Sequence, residues 1–289
     1  MNDSPSRFEI HYSVETNGES AVTVLSAASG LSKQTVKKVM QNGAVWLTRH
    51  NNTRRVRRAK KELVSGDELH LYYDAGIQSM KPEAPTLIAD EINFSVLFKP
   101  PGMFSQGTKW GDHCAINRWL EQDFDRPTFI VHRLDKAASG LMILAHKKKA
   151  AAALSALFQQ RRIDKCYRVL VQGEFLGGPV LLDSAIDGRD ARSRVRLIKY
   201  NHTARTSLLE VNIETGRKHQ IRRHLAEAGY PVIGDRLYGR VKPGNNEFSR
   251  RAENLQLMAA SLSFEDPLSG EQRYYAVPDV LIPESMKYD

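Results

Sequence analysis

The 289-residue sequence has only two cysteines, no long apolar run and no excess of acidic side chains. Cys114 and Cys166 are far apart and form no CxxC pair, so neither a disulfide framework nor a thiolate metal site is expected. No apolar stretch approaches the roughly 18 to 20 residues that a membrane span requires. The first eight residues lack the basic and then apolar pattern of a secretory signal. The sequence therefore predicts a cytoplasmic protein that does not associate with a membrane.

Positive charge is abundant, because 42 basic side chains outnumber 33 acidic ones and give a formal net charge of +9. Such a surface favours polyanionic partners and says nothing about the fold. Two clusters of basic residues alternate along extended chain, which would align several cations on one strand face and let them contact phosphate groups. The first cluster comprises Arg49, Arg54, Arg55, Arg57, Arg58, Lys60 and Lys61; the second comprises Arg189, Arg192, Arg194, Arg196 and Lys199.

A small α+β module is predicted between Ser20 and Tyr73. Ser32 is a helix cap for an amphipathic helix over 33–41, Asn42-Gly43 ends that helix, and strands follow at Val45 and before Tyr73. This order, with the basic stretch and Val-x-x-Gly-Asp, resembles the S4 RNA-binding domain, although a generic α+β module has a similar pattern. We expect residues 1–15 to form a polar leader, 16–75 an S4-like RNA-binding domain and 76–89 a linker.

Asp135 is the first candidate for a functional acid. It lies in Val131-His-Arg-Leu-Asp135, shortly before the apolar run 141–144. A carboxylate at the entrance to a core costs free energy unless a cation or a reacting group compensates it. A salt bridge at a turn is the simpler interpretation of an isolated aspartate. A second segment, 214–229, favours a functional role because it supplies the missing cation.

In that second segment, Thr215-Gly216 ends a strand and 220–228 forms a helix followed by Gly229. Arg217, His219 and Arg222 lie at or near the N-terminal turn of the helix, where positive charge is unfavourable by some tenths of a kcal/mol, so an anion is expected nearby. His219 and His224 do not have the spacing of a helical metal pair, and no metal is predicted. A strand over 167–173 places Tyr167 on the same face as Val169 and Val171.

These motifs together resemble the RluA-type RNA pseudouridine synthases over about residues 92–280. The combination is His132-Arg-Leu-Asp135-x-x-x-Ser139-Gly140-Leu141, Lys165-x-Tyr167, Thr215-Gly216-Arg217-x-His219-Gln220-Ile221-Arg222-x-His224 and Gly234-Asp235-x-x-Tyr238-Gly239. Two positions depart from the family pattern: Ala138 replaces the usual Thr, and Leu257-Met258-Ala259 replaces a frequent Leu-His-Ala. The resemblance implies an α+β catalytic domain over 90–289, on a mixed, largely antiparallel sheet with flanking helices and a central cleft.

The resemblance also implies roles for individual residues. Asp135 would be the nucleophile, attacking either the anomeric carbon or the uracil ring, and Arg222 would keep it ionised. Tyr167 would lie against the base and handle the proton that leaves C5. The remaining expected contacts are with the RNA or the walls of the pocket: Arg133 in the site vacated by the extruded uridine, His132, Arg217 and His219 at the RNA or in support of the site, and Leu257 under the base.

The sequence thus predicts isomerisation of uridine to pseudouridine in structured RNA, without a cofactor or metal. Ribosomal RNA of the large subunit (23S) is favoured as the target because of the S4-like domain, and transfer RNA is the alternative. A non-catalytic RNA-binding or ribosome-assembly factor is a second hypothesis. Glycoside hydrolysis is a weaker third, since Asp135 has no acid partner at motif distance. We expect a monomer.

Overall fold

The structure is a computed structural model that describes residues 6–239 and 254–287. The chain divides into two compact units. The N-terminal unit comprises Met1–Pro82 and Gln106–Asp125, and the C-terminal unit comprises Glu83–Ser105 and Arg126–Asp289. None of the described helices has the length and apolar character needed to cross a membrane.

The N-terminal unit is a four-stranded antiparallel sheet with helices. Its strands are β1 (Arg7–Ser13), β2 (Val45–Arg49), β3 (Asn52–Arg55) and β4 (Glu68–Asp74), in the order β1-β4-β2-β3. Its helices are α1 (Ala21–Ser29), α2 (Lys33–Gln41), α3 (Ala75–Gln78) and α4 (Ile116–Phe124). Helix α2 has the predicted bounds, and the Ser32 hydroxyl accepts a hydrogen bond from the Thr35 N–H at 3.1 Å. Its buried face, Val36, Val39 and Met40, joins the core of the unit.

Three predicted boundaries differ from the structure. The expected polar leader contains β1, because Phe8, Ile10 and Tyr12 alternate towards the core while β1 pairs with β4. The expected linker contains the end of α3 and the start of the next strand, which begins at Thr86. Residues 106–125 were expected in the catalytic domain but belong to the N-terminal unit. There, the Asp112 N–H donates to the Asn42 carbonyl at 2.9 Å and the Asp112 carboxylate binds the guanidinium groups of Arg55 and Arg57.

The C-terminal unit is built on a ten-stranded sheet. The main path is β10-β11-β12-β9-β13-β8-β6-β5, with β14 beside β13 and β7 beside β8. Of the strand pairs in the described part of the chain, β8 with β13 is parallel and the others are antiparallel. The prediction of a mixed, largely antiparallel sheet is therefore confirmed. The elements are β5 (Thr86–Asp90), β6 (Phe94–Lys99), β7 (Phe129–Ile130), β8 (Ser139–Ala145), α5 (Lys148–Gln159), β9 (Asp164–Gln172), β10 (Val180–Leu182), β11 (Ser193–Asn201), β12 (Thr206–Ile213), α6 (Gln220–Glu227), β13 (Leu257–Glu265), β14 (Gln272–Ala276) and two 3-10 turns, Asp279–Leu281 and Glu284–Met286.

Each face of this sheet carries its own apolar core. Leu154 and Leu157 of α5 pack with Ile143 of β8 and other residues in one core. Ile221 and Leu225 of α6 belong to the other, which also contains Val169 and Val171 and has Tyr167 packed against it. The predicted alternation along β9 is thus observed, and it places Tyr167 on the α6 side of the sheet.

Gly140 allows β8 and β13 to approach closely. A Cβ atom at this position would lie 2.3 Å from the Ala259 carbonyl oxygen, and the φ angle of +116° is one that residues with a side chain rarely adopt. Because Gly140 follows the Asp135 turn by a few residues, this close approach fixes where the turn enters the sheet.

Candidate active site

Asp135 lies in the turn between β7 and β8, and buried Ser105 holds the residue before it. The Leu134 N–H donates to the Ser105 hydroxyl oxygen at 2.9 Å, and that hydroxyl donates to the Leu134 carbonyl at 2.6 Å. The Ala138 N–H closes the turn by donating to the Asp135 carbonyl at 3.1 Å. The side chain of Asp135 remains 27% exposed, so a substrate can reach a carboxylate whose backbone is held in place.

Arg222 of α6 reaches this carboxylate from the interior. Its Nη1 lies 3.0 Å from Oδ2 of Asp135, and its side chain is only 6% exposed. Its Nε and Nη2 donate to the two carboxylate oxygens of Asp235, each at 2.7 Å. Burial alone would lower the pKa of Arg222, but the hydrogen bonds to Asp235 and Asp135 outweigh it and raise the pKa. Arg222 is therefore a permanent cation between two carboxylates.

Asp235 is the buried member of this group, with a side chain that is 0% exposed. One of its oxygens also accepts hydrogen bonds from the N–H groups of Leu237 (2.9 Å) and Tyr238 (3.1 Å). Burial favours the neutral acid, yet the Arg222 guanidinium and these two donors hold the pKa of Asp235 below its ordinary value. The ionised Asp235 is thus fully satisfied by its surroundings.

His219 lies on the other side of the Asp135 carboxylate. Its Nε2 is 3.7 Å from Oδ1 of Asp135, and its Nδ1 is 3.0 Å from the Tyr238 hydroxyl. Burial lowers the pKa of His219, although Asp135 acts in the opposite direction. His219 precedes α6 with a φ of +55°, a left-handed conformation. The buried Gln220 side chain fixes this turn by accepting from the Thr215 hydroxyl (2.6 Å) and the Arg217 N–H (3.0 Å).

Tyr167 and Leu257 lie on adjacent strands of the same sheet face. Leu257 is buried in the apolar core against which Tyr167 packs. Burial, and then the negative charge of Asp135, raise the pKa of Tyr167 well above its usual value. Tyr167 therefore holds its hydroxyl proton at neutral pH and is an apolar wall with a polar tip.

Three of the predicted RNA-contacting residues are placed differently from the group around Asp135. His132 stacks on Phe158 with ring centroids 4.2 Å apart, and its Nε2 accepts the Ile143 N–H at 2.9 Å. Burial lowers the pKa of His132 to about 3, so its ring is neutral. Arg217 donates from Nε to the Asp190 carbonyl at 2.9 Å. Arg133 is exposed to solvent beside the Asp135 turn.

Lys99 was not predicted as a site residue. It ends β6, is fully buried, and its ammonium group lies next to the carbonyls of both turns that flank the site. These are Pro100 (3.0 Å), Met103 (3.0 Å), Lys136 (3.3 Å) and Ala138 (2.6 Å). Burial lowers the pKa of Lys99 to about 7, and nearby Asp135 opposes that change. The available signal was a lysine at the end of an apolar strand before Pro100-Pro101-Gly102.

The two departures from the family pattern fall in packed positions. Ala138 is 2% exposed, and its carbonyl is the nearest acceptor of the Lys99 ammonium group. Met258 is completely buried in β13. Ala138 belongs to the apolar core on the α6 side of the sheet, and Met258 belongs to the core on the α5 side.

The two basic clusters differ in how many of their charges are compensated. In the second cluster, Arg194 and Arg196 both point to the exposed side of β11, as predicted, but Glu214 and Glu210 bind them at 2.9 and 3.0 Å. In the first cluster, Arg49 binds the Asp67 carboxylate, while Arg55 and Arg57 bind Asp112. The exposed members of the first cluster are Arg54, Arg58 and Lys60. Within residues 6–239 and 254–287, no group of three or more His, Cys, Asp or Glu side chains could hold a metal ion.

Comparison with known proteins gives a family for this fold and site. The family described as "RNA pseudouridylate synthase" matches residues 93–227. A protein of Aquifex aeolicus (strain VF5), named "Uncharacterized RNA pseudouridine synthase", is 30% identical over 284 residues that cover 89% of this chain and 87% of that protein. The chain belongs to the RNA pseudouridylate synthase family. This pseudouridine synthase is of the RluA type, in keeping with its motifs and with relatives that carry that name.

Two further relatives of the pseudouridine synthase are informative. A "Ribosomal large subunit pseudouridine synthase D" of Zymomonas mobilis is 35% identical over 173 residues, which cover 55% of this chain and 54% of that protein. The solved structure "Human RNA Pseudouridylate Synthase Domain Containing 1" has a TM-score of 0.60 at 22% identity, covering 72% of this chain and 89% of that one. The structural similarity supports the fold, and the family supports isomerisation of uridine in RNA as the reaction.

Proposed function

We propose that this pseudouridine synthase uses Asp135 as its nucleophile, Arg222 as the cation that orients it and Tyr167 as the wall against which the target base lies. The observation that carries the proposal is the 3.0 Å contact between Nη1 of Arg222 and Oδ2 of Asp135. It leaves Oδ1 on the partly exposed carboxylate without a hydrogen bond to Arg222. A partly exposed carboxylate that is held by one oxygen, and whose other oxygen accepts no hydrogen bond from that cation, is suited to attack on carbon.

The proposed reaction leaves the composition of the nucleotide unchanged, because the proton that C5 loses is matched by one that N1 gains. Oδ1 of Asp135 forms a bond to C1′ as the bond from C1′ to N1 breaks, or it adds to the uracil ring and the bond from C1′ to N1 breaks afterwards, leaving its electron pair on N1. The released uracil turns, C5 bonds to C1′, the bond to Asp135 breaks, C5 loses its proton and N1 gains one. Because Tyr167 holds its own proton, it can accept the C5 proton only while passing its hydroxyl proton to another acceptor. No cofactor or metal is needed for these steps.

The other site residues have supporting roles in this proposal. Arg133 is exposed beside the Asp135 turn, where it can occupy the space that an extruded uridine leaves in the RNA. Leu257 supports the wall formed by Tyr167. His219 supports the Asp135 carboxylate, and Arg217 fixes the loop at Asp190. His132 we assign to packing of the turn, since its ring and its Nε2 are engaged by Phe158 and the Ile143 N–H.

We propose that the target is 23S ribosomal RNA. We also propose that the protein acts as a monomer in the cytoplasm. Three features support this target: the ribosomal name of the Zymomonas relative, the resemblance of the N-terminal unit to S4 domains, and that unit's exposed Arg54, Arg58 and Lys60. Cations exposed in this way can bind phosphate groups without sequence selectivity.

The test is to map pseudouridines across total RNA from a deletion strain complemented with wild type or with Asp135→Asn. A large-subunit position lost on deletion and restored by wild type alone is the expected result. A lost position in transfer RNA would overturn the target, while restoration by Asp135→Asn would overturn the nucleophile. If no position is lost under any growth condition, the chemistry itself is refuted for this protein in its host.

A further inference from the structure

The turn over 234–239 acts on both carboxylate oxygens of Asp135 through two intermediate side chains, Arg222 and His219. Asp235 binds Arg222, which contacts Oδ2 of Asp135 at 3.0 Å. Tyr238, three residues later, contacts His219, whose Nε2 lies 3.7 Å from Oδ1. One short turn thus contacts both Arg222 and His219, the two groups that face the Asp135 carboxylate.

The contact through Asp235 determines the direction in which Arg222 donates. A guanidinium group is planar and carries its five N–H donors in a rigid fork. Asp235 occupies one edge of that fork with two hydrogen bonds of 2.7 Å, which fixes the plane and directs Nη1 towards Asp135. Without Asp235 the long side chain would regain rotamers, and the Nη1 contact would lose its geometry.

The contact through Tyr238 determines the tautomer of His219. A neutral imidazole has one donor nitrogen and one acceptor nitrogen. The negative Oδ1 of Asp135 favours the proton on Nε2, so the Tyr238 hydroxyl donates to Nδ1 at 3.0 Å. The Tyr238 ring also lies under Arg222, with Cζ 5.2 Å from the ring centroid. The tyrosine therefore restrains both groups that face Asp135.

The turn itself is tightly closed. Two backbone N–H groups bind the Asp235 carboxylate, and the Gly239 N–H donates to the Asp235 carbonyl at 3.1 Å. A Cβ atom on Gly239 would lie 2.2 Å from that carbonyl oxygen, so glycine is required there. A turn so constrained keeps Asp235 and Tyr238 in fixed relative positions.

We propose that Asp235 and Tyr238 are positioning residues for catalysis, acting through Arg222 and His219 on the two oxygens of Asp135. This inference rests on the proposed role of Asp135 as nucleophile. The geometry assigns Asp235 to the orientation of the oxygen that Arg222 binds and Tyr238 to the surroundings of the oxygen that attacks.

The test measures single-turnover rates and RNA affinity for Asp235→Asn and Tyr238→Phe. The substrate is total RNA from the deletion strain whose uridines carry tritium at C5, since tritium release follows the reaction wherever the target lies. We expect Asp235→Asn to lower the rate about 10- to 100-fold, as misplaced catalytic groups do, with Kd within about twofold of wild type. Tyr238→Phe should lower it about fivefold, the equivalent of one ordinary hydrogen bond.

Asp266 offers a matched control in the same unit. It is also buried and also accepts the N–H of the residue two positions later, Leu268, at 2.9 Å. Asp266→Asn should also lower the thermal stability, and it should leave the single-turnover rate within about twofold of wild type. Equal losses of rate in both aspartate variants would mean that Asp235 is merely structural and would overturn the proposal.

A double-mutant cycle tests whether Asp235 acts through Arg222. In an Arg222→Lys background, Asp235→Asn should change the rate by less than about twofold, whereas independent, multiplying effects contradict the proposal. If Asp235→Asn fails to fold, the single-turnover rate of Tyr238→Phe tests the proposal, and a wild-type rate in that variant overturns it. Activity in Asp135→Asn would instead refute the proposed nucleophile, so the two failures are distinguishable.

Discussion

Replacing Lys99 with methionine should destabilise the C-terminal unit more than any surface change. Methionine has a similar length and no branch, but it donates no hydrogen bond to the four carbonyls that surround the ammonium group. The Lys136 carbonyl keeps the Gly102 N–H as a donor at 2.8 Å, so three of the four carbonyls lose the donor that Lys99 supplies. A buried acceptor that loses its donor costs about 1 kcal/mol at the low end, so three cost about 3 kcal/mol. Burying an apolar side chain instead of a charge returns about 1 kcal/mol. The net loss is therefore about 2 kcal/mol, or about 4 to 8 °C in Tm.

The pH dependence of this loss follows from the pKa of Lys99. Burial lowers it to about 7 from 10.5, so between these values the unfolded chain binds one more proton than the folded chain. The contribution of Lys99 to stability therefore rises with pH over this window, by up to about 1.4 kcal/mol per pH unit. Methionine has no such dependence. The difference in stability between wild type and Lys99→Met should thus widen between pH 7 and pH 9.

Urea denaturation followed by far-ultraviolet circular dichroism measures both effects, with Lys148→Met, an exposed lysine on α5, as the control. All three tryptophans (Trp46, Trp110 and Trp119) lie in the N-terminal unit, so their fluorescence reports on the unit that does not contain Lys99. A loss below about 1 kcal/mol, or a difference that stays constant from pH 7 to pH 9, would refute the assignment of Lys99 as the buried donor to these carbonyls.

Three further predictions concern packing, titration and RNA affinity. Gly140→Ala should cost about 3 kcal/mol or more in urea denaturation because its Cβ would overlap Ala259, whereas Gly178→Ala, with nothing within 4 Å, should be neutral; equal effects would contradict the close-approach argument. The pKa of His132 is lowered to about 3, so the unfolded chain binds more protons between pH 6.5 and 3 and stability falls as the pH drops; His132→Gln should lose less stability between pH 7 and 4.5, and an unchanged acid response would count against a buried neutral ring. Neutralising the exposed cations of the first cluster should reduce the steepness of the plot of log K, where K is the association constant for RNA, against log salt concentration by about 2 to 3. Neutralising the ion-paired arginines of β11 is the control and should change this slope less. The variants combine Arg54, Arg58 and Lys60 in the first case and Arg194 and Arg196 in the second.

Local patterns predicted the elements well, because their causes lie within a few residues. The bounds of α2 follow from the Ser32 cap and the spacing of its apolar face, and the alternation along β9 places Tyr167 correctly. Complementary charge pointed to the segment 214–229 as the source of a cation for Asp135, whereas the choice of Arg222 came from the family resemblance, since 87 residues separate the two in sequence. Lys99 and Asp235 were missed as site residues because their roles depend on being buried beside the site. That burial is created by chain segments far apart in sequence, which no local pattern brings together.

The connectivity of the N-terminal unit limits how the unit can be cut from the chain or exchanged between proteins. Its two pieces are interrupted by residues 83–105, so the chain passes between the units at 82, 105 and 125. A truncation at 82 would remove Asp112, the carboxylate that neutralises Arg55 and Arg57. It would also leave residues 106–125 in the C-terminal fragment, separated from the rest of the unit with which they pack. During synthesis the unit is incomplete until residue 125 has been made, and any exchange of this unit between proteins must transfer both pieces together.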